Sequence, residues 1–337
     1  MFFNAYPKMM RVIVLLSLIG YAVCSPPVSK SRDQIEAFRE ALEKSRIDDG
    51  VLLDSRILAN PKAYNWENSG KFEGDIILDD DQVEALVSDY AGVEQSTGSR
   101  AAFTVANTRW PGNVMIYDFA ANHFTNAERD RILNGMRWVE HFSCVRFRRR
   151  TNERNFVLIT GRATGCYAHV GFSSNRGTHT LNLAPRGCLW HAIIIHELLH
   201  NLGFFHMQSA FERYDFVRIN WANIQSGTEH NFQRMAQNRV SLLSLPYEYG
   251  SCMHYSSHAF STNGRPTITA TRSFQGVMGN DHYVTHWDWL RLRRHYNCPG
   301  AWNERDIQEL KEEVERTRPL IYDVPLPTED ATDETNV

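Results

Sequence analysis

The residues with the clearest capacity for chemistry lie in one stretch of eleven: His196, Glu197, Leu198, Leu199, His200, Asn201, Leu202, Gly203, Phe204, Phe205 and His206. His196 and His200 are four positions apart, so on a helix their imidazoles project from one face and can reach one metal ion. Glu197 is rotated by about 100° around the helix axis, where it reaches water beside the ion more easily than the ion itself. Gly203 permits a turn with positive φ, after which His206 can return as a third ligand.

The chemistry that this arrangement predicts is hydrolysis by an activated water. Three neutral histidines on Zn²⁺ leave a coordination position open, which is typical of a catalytic site, and zinc polarises a scissile carbonyl and lowers the pKa of water. Glu197 would accept the proton of that water and deliver it to the leaving amine. The alternative is a core helix with hydrogen-bonded histidines, since 193–195 is plainly core-forming. Three histidines and an acid are costly to bury there without a shared purpose, which favours the metal site.

A second stretch, Gly-Ser-Cys-Met-His-Tyr at 250–255, supports a metal site. Metal ligands on a helix need an apolar floor beneath them, and the flexible, polarizable side chain of Met253 suits that place. Tyr255 follows two positions later and can direct its phenol at the metal or at a developing negative charge. This short motif is weak alone and strong beside the longer one.

Periodic segments on both sides must position these residues. Hydrophobic periodicity predicts helices at 31–44, 127–141, 192–202, 287–296 and 303–317. Alternation or β-branching predicts strands at 114–117, 156–160 and 178–183. The helix at 192–202 carries the first two histidines, and the charged helix at 303–317 is expected to be exposed.

Together these motifs resemble the astacin family of metzincin endopeptidases. The stretch from His196 to His206 matches the family's zinc motif, and 249–255 resembles its Met-turn, with Cys252 where an aliphatic residue is usual. The similarity covers 101–298. It implies an α+β, zincin-like catalytic domain of two subdomains, with a twisted, mostly parallel sheet and an active-site helix above the cleft and a loop-rich C-terminal subdomain below it.

The resemblance also implies a role for each site residue. The three histidines of the motif would bind one zinc per catalytic domain. Glu197 would be the general base and acid, Tyr255 a switchable fifth ligand that stabilises the transition state, and Met253 the residue of the Met-turn. The strand at 178–183 resembles the edge strand of the family's sheet, on which substrate proteins or peptides would lie in extended form by β-augmentation.

Five cysteines lie beyond residue 24, so one thiol has no partner within the chain. Spacing alone leaves the pairing open. The resemblance implies the pairs Cys144–Cys298 and Cys166–Cys188, which makes Cys252 the odd thiol, buried under the site and inert.

The sequence Phe-Glu-Gly-Asp at 72–75 resembles the family's prosegment motif. The resemblance implies that Asp75 occupies the open position of the zinc and blocks the cleft, whereas the plainer interpretation is an ordinary turn that contains Gly74. Activation would be a cut near Arg100–Ala101 by another protease. Met207 departs from the family, which usually has a glutamate there to hold the new N-terminal amine, so we expect a looser dependence of activity on the exact N-terminus.

The chain divides into a predicted signal peptide at 1–24, a propeptide at 25–100, the catalytic domain at 101–298, and an acidic C-terminal tail at 299–337 that is helical at first and then disordered. No later apolar run reaches the roughly 18 residues that a membrane span needs, so a secreted, extracellular product is expected. An uncleaved anchor is the alternative.

Charge is unevenly distributed along the 337 residues, although the whole chain carries only −3 and suggests no nucleic-acid partner. Residues 25–100 have 9 basic and 16 acidic side chains, and 101–298 has 21 arginines against 12 acids. Opposite charges of this size can favour docking of the first region on the second, or they can simply keep the chain soluble.

The function predicted from these observations is a secreted zinc endopeptidase made as a latent zymogen, acting as a monomer. The alternative from another class is a catalytically inactive, zinc-binding astacin-like protein that serves as a binding or matrix protein.

Overall fold

The computed structural model describes residues 30–92, 108–237 and 239–318. We refer to these as the N-terminal segment (30–92), the central domain (108–298) and the C-terminal extension (299–318). The predicted signal peptide, the predicted cut at Arg100–Ala101 and the chain from Pro319 onward lie outside the described residues. Within them, no helix is both long and apolar enough to cross a membrane.

A six-stranded sheet forms the upper part of the molecule. Its strands are β1 (Ile76–Ile77), β2 (Val114–Phe119), β3 (Arg146–Arg149), β4 (Phe156–Thr160), β5 (Cys166–His169) and β6 (Thr178–Leu183). They are ordered β1-β5-β6-β4-β2-β3, and every neighbouring pair is parallel except β5 and β6. The predicted mostly parallel sheet is therefore confirmed.

The role predicted for one strand was wrong. The strand at 178–183 exists as β6, but it lies inside the sheet, paired with β4 on one side and β5 on the other. Within the central domain, β5 lies at one edge of the sheet and β3 at the other, and β1 of the N-terminal segment pairs with β5 in parallel. The edge role came from the family resemblance, whereas the alternation along β6 predicts only a strand and not its place in the sheet.

Two helices lie against this sheet, α4 (Asn126–Phe142) and α5 (His191–Asn201). Helix α4 begins with a capping box in which Thr125 and Glu128 satisfy each other's backbone N–H groups. Gly135 lets the two helices approach closely, because a Cβ there would lie 2.6 Å from Cγ2 of Ile194. Every residue of α5 except the first is buried.

The lower part of the central domain is rich in loops. It holds an antiparallel pair of short strands, β7 (Val217–Ile219) and β8 (Ile268–Ala270), followed by α6 (His286–His295). Two disulfides brace the domain. They join Cys144 to Cys298 and Cys166 to Cys188, and Cys252 is a buried free thiol.

The C-terminal extension contains α7 (Glu304–Thr317), as predicted, but it is not simply exposed. Leu310 and Val314 are buried in the main core cluster. On the outside, Glu313 contacts Nε2 of His141 at 2.7 Å. The charged composition concealed a narrow apolar stripe along one face of the helix.

The N-terminal segment folds onto the central domain through α1 (Arg32–Arg46), α2 (Leu53–Ala59) and α3 (Asp80–Ala91). Helix α1 was predicted, whereas α2 and α3 were not. The segment shares one apolar cluster with the central domain, which includes Phe38, Leu42, Phe72, Ile76, Leu78, Val83, Val170, Phe205 and Met235.

Ion pairs hold α3 at both ends. Arg176 of the central domain lies 2.5 Å from Asp79, the N-cap of the helix. Arg239 lies 2.9 Å from Asp89, near the other end. The acidic segment and the arginine-rich domain are therefore in direct contact.

Candidate metal centre and active site

Four buried side chains converge beside α5: His196 and His200 on the helix, His206 beyond its C-terminal end and Asp75 just before β1. Nε2 of His196 lies 3.1 Å from Nε2 of His200 and 3.4 Å from Nε2 of His206. The carboxylate of Asp75 lies 3.0 Å from His196, 3.3 Å from His206 and 3.4 Å from His200. All four side chains have at most 1% of their surface exposed.

This spacing fits one zinc ion. A tetrahedral site with bonds of about 2.0–2.1 Å holds its ligand atoms about 3.3 Å apart, and the distances between these four side chains have the same scale. Oδ1 of Asp75 is buried and has no hydrogen-bond partner among the described residues. Burial alone would raise the pKa of Asp75, but His206 and His200 hold it well below its usual range.

The outer nitrogen of each imidazole, Nδ1, faces away from the cluster's centre and also has a hydrogen-bond partner. A carbonyl or ionised carboxylate oxygen can only accept, so Nδ1 donates to it and Nε2 keeps the lone pair that a metal requires. The three contacts are His196 Nδ1 to the Cys252 carbonyl at 2.7 Å, His200 Nδ1 to the Phe204 carbonyl at 2.7 Å, and His206 Nδ1 to Oε2 of Glu73 at 2.9 Å.

The turn after α5 brings the third histidine into place. Gly203 has φ +108°, and a Cβ there would lie 2.6 Å from Oγ1 of Thr108 and 2.8 Å from Nε2 of His295. Both backbone conformation and space therefore require glycine. The N–H of Met207 then donates to the carbonyl of Met253 at 2.7 Å, which ties the chain beside His206 to the stretch below it.

Asp288 in α6 holds that lower stretch and was missed by the sequence analysis. It accepts hydrogen bonds from the hydroxyl of Ser251 at 2.5 Å and from the N–H of Cys252 at 3.1 Å. Met253 is buried with 3% of its surface exposed. Burial and Asp288 raise the pKa of Cys252 well above its usual value, as expected for an inert thiol. The sequence shows Asp288 only as the capping-box partner of Thr285, and that pattern does not indicate its contacts with Ser251 and Cys252.

Glu197 and Tyr255 flank the cluster. The Glu197 carboxylate is fully buried, and neither oxygen has a hydrogen-bond partner within the described ranges. Burial and Asp75 raise its pKa well above the usual value. The Tyr255 ring lies 5.1 Å from that of His206, and its hydroxyl lies 3.5 Å from the carbonyl of Asn231.

Two further residues of the N-terminal segment cover the site and were not predicted. The Trp66 ring stacks on His196 at 4.2 Å and on His206 at 4.9 Å, and it is fully buried. The carboxylate of Glu67 accepts a hydrogen bond from the hydroxyl of Ser256 at 2.9 Å, and burial raises the pKa of Glu67 to about 8. A tryptophan in an otherwise largely polar stretch was the available signal.

Met207 is buried and lines an apolar cavity with Phe205 and Met253. The residues that would carry a new N-terminus, from Ala101, lie outside the described residues. The prediction of altered N-terminal anchoring therefore stays a prediction.

Comparison with known proteins agrees with this geometry. The family model for the Astacin peptidase family matches residues 102–297. Zinc metalloproteinase nas-6 of Caenorhabditis elegans is 30% identical over 261 residues, which cover 77% of this chain and 72% of that protein. Low choriolytic enzyme of Oryzias latipes is 34% identical over 272 residues, covering 79% and 92%.

A solved structure is similar as well. High choriolytic enzyme 1, a hatching enzyme zinc-protease from the medaka fish Oryzias latipes, superposes with a TM-score of 0.52 at 33% identity, covering 60% of this chain and 98% of that one. With a family model that matches more than half of its length, the chain belongs to the astacin family and is a zinc-dependent metallopeptidase.

Proposed function

We propose that this chain is a secreted zinc endopeptidase made as a latent zymogen, in which Asp75 closes the active site. The observation that carries the proposal is the convergence of the Asp75 carboxylate on three imidazole nitrogens at 3.0–3.4 Å. His196, His200 and His206 would hold the zinc, and Asp75 would take the position that a substrate needs. When bound, zinc polarises a peptide carbonyl and makes water more acidic.

Two side chains would carry out the proton transfers and charge stabilisation. Glu197 would take a proton from the attacking water and give it to the departing amine. Its unpartnered, buried carboxylate beside the first ligand supports this role. Tyr255 would donate a hydrogen bond to the carbonyl oxygen as negative charge develops there.

Strand β5 would bind the substrate once the N-terminal segment has left. Because β1 pairs with β5 in the latent chain, its departure would leave an unpaired strand edge. An extended peptide can add to such an edge through main-chain hydrogen bonds. Proteins and peptides are therefore the proposed substrates.

The proposed organisation keeps the predicted limits: a signal peptide at 1–24, a propeptide at 25–100, a catalytic domain at 101–298 and an acidic tail at 299–337. A second protease would cut near Arg100–Ala101, and the product would act as a monomer outside the cell. The two disulfides support an oxidising compartment.

The test of catalysis compares the trimmed wild-type protein with Glu197→Gln in a peptide-cleavage assay. We expect the variant to lose about 10²–10⁴-fold in turnover while metal analysis still finds one zinc per chain. A wild-type protein that binds zinc and cleaves nothing would instead favour the inactive binding protein.

The test of latency uses the uncut chain. Asp75→Ala should raise the residual cleavage of a short peptide, because no carboxylate then fills the site. Asp81→Ala is the matched control, since Asp81 lies on the exposed face of α3. Equal residual activity in the two variants would contradict the proposed block.

A further inference from the structure

The three histidines of the metal cluster differ in which part of the chain holds their outer nitrogens. His196 and His200 donate to carbonyl groups of the central domain, at Cys252 and Phe204. His206 instead contacts the carboxylate of Glu73, at 2.9 Å. The N-terminal segment therefore supplies the hydrogen-bond partner of Nδ1 for His206 alone. Removing the segment takes this partner from His206 and leaves the partners of His196 and His200 in place.

Glu73 is held in place for this contact from several directions. Its side chain is fully buried, and its other carboxylate oxygen accepts a hydrogen bond from the hydroxyl of Ser209 at 2.5 Å. Its N–H donates to Oδ1 of Asn231 at 2.8 Å. Its φ is +47°, which is uncommon for a residue with a side chain. The next residue, Gly74, packs so tightly that a Cβ would lie 2.9 Å from the Cα of Glu67.

We propose that Glu73 is a positioning residue for the third zinc ligand and that the N-terminal segment retains the metal as well as blocking the site. An outer partner fixes ring orientation and strengthens a histidine ligand, and its loss typically weakens metal binding about 10–100-fold. The latent chain should therefore release zinc slowly and the trimmed enzyme faster. This inference rests on the proposed zinc ligands, and Asp75 contributes to retention separately as a direct ligand.

The competing explanation is that Glu73 only helps the segment to dock. A substitution of Asp89 distinguishes the positioning role from the docking role, because Asp89 binds Arg239 at 2.9 Å and is not among the residues that form the metal cluster. Loss of the Asp89 charge would loosen docking and leave the outer nitrogen of His206 with its partner.

The experiment measures zinc transfer from the intact, uncut chain to a chromogenic chelator. Glu73→Ala should accelerate release about 10–100-fold. Glu73→Gln should have a smaller effect, because its amide oxygen still accepts a hydrogen bond from Nδ1. Asp89→Asn should release zinc at the wild-type rate. Release from Glu73→Ala at the wild-type rate, or equal acceleration by Asp89→Asn, would overturn the proposal.

Ser209→Ala provides a second test that does not alter the segment. Ser209 belongs to the central domain and orients Glu73, so this variant should release zinc faster in the uncut chain and at the normal rate after trimming. Acceleration in both forms would mean a general structural defect and would reject the assigned role. If the wild-type chain bound no zinc at all, the proposed zinc ligands themselves would be wrong. That result is distinguishable from a failure of the role assigned to Glu73.

Discussion

At the scale of single residues, the stretch under the metal cluster depends on one carboxylate. Asp288 receives hydrogen bonds from Ser251 and Cys252 and lies 3.5 Å from the guanidinium of Arg291, which is itself buried. These contacts fix the residues that precede Met253. A buried arginine whose partner is removed becomes an uncompensated charge.

Asp288→Ala should therefore lower the free energy of unfolding by about 3–5 kcal/mol, measured by urea denaturation of the uncut chain. Glu309→Ala is the control, because Glu309 is 65% exposed and surface changes usually stay within about 0.5 kcal/mol. A loss below about 1 kcal/mol for Asp288→Ala would mean that the buried pair matters little.

Met207 leads to a prediction about maturation. The thioether of Met207 is uncharged and only a weak hydrogen-bond acceptor, so it does not replace the family glutamate that would accept a hydrogen bond from a new N-terminal amine. Trimmed protein with two extra residues before Ala101 should therefore keep its kcat/KM. In a Met207→Glu background, the same extension should reduce activity relative to the form that begins at Ala101. Loss of activity on extending the wild type would contradict this prediction.

At the scale of elements, the position of α5, which carries His196 and His200, depends on its contact with α4. Gly135 faces Ile194 across that contact, with space for no Cβ. The close approach of the two helices therefore depends on the absence of a side chain at Gly135. Sequence periodicity predicted both helices, but the glycine looks only like a weakness in α4 until the partner helix is known.

Gly135→Ala should lower the free energy of unfolding by up to about 2 kcal/mol, because overpacking costs about 1–3 kcal/mol and helix propensity returns about 1 kcal/mol. Combining it with Ile194→Ala should cost less than the sum of the two single variants, as a double-mutant cycle would measure. Stabilisation by Gly135→Ala alone would show that α5 can move aside.

The elements that could not be predicted share a cause. Helix α3 is acidic, and its ion partners Arg176 and Arg239 lie far along the chain. Strand β5 spans only four residues, and its place at the edge of the domain is a property of the whole sheet. In contrast, the histidine spacing and the helix that carries it are local, so the sequence predicts them well. The contact of Glu73 with His206 joins residues 133 positions apart, which no local pattern reveals.

At the scale of the whole molecule, buried histidines make stability depend on pH. His179 in β6 and His295 in α6 are almost completely buried, and burial lowers the pKa of each to about 3. The folded state therefore keeps them neutral, while the unfolded chain takes up protons below about pH 6.5. Their contribution to stability is complete above that pH and is lost as the pH falls towards 3.

His179→Gln should reduce this acid sensitivity. Between pH 6 and 4, the wild type should lose about 1.4 kcal/mol more per pH unit than the variant, in urea unfolding curves measured in parallel. Because both proteins share the metal ligands, acid release of zinc cancels in the comparison. Parallel pH profiles would show that His179 does not titrate differently in the two states.

The apolar cluster shared between the N-terminal segment and the central domain has a consequence for handling and storage. Val170, Phe205 and Met235 are buried beneath Phe72, Ile76 and their neighbours. Cutting the segment away uncovers these side chains beside an open strand edge, a combination that promotes self-association. Under the proposed maturation, the uncut precursor is therefore the form suited to accumulation at high concentration, and the trimmed enzyme is best kept dilute or supplied with substrate.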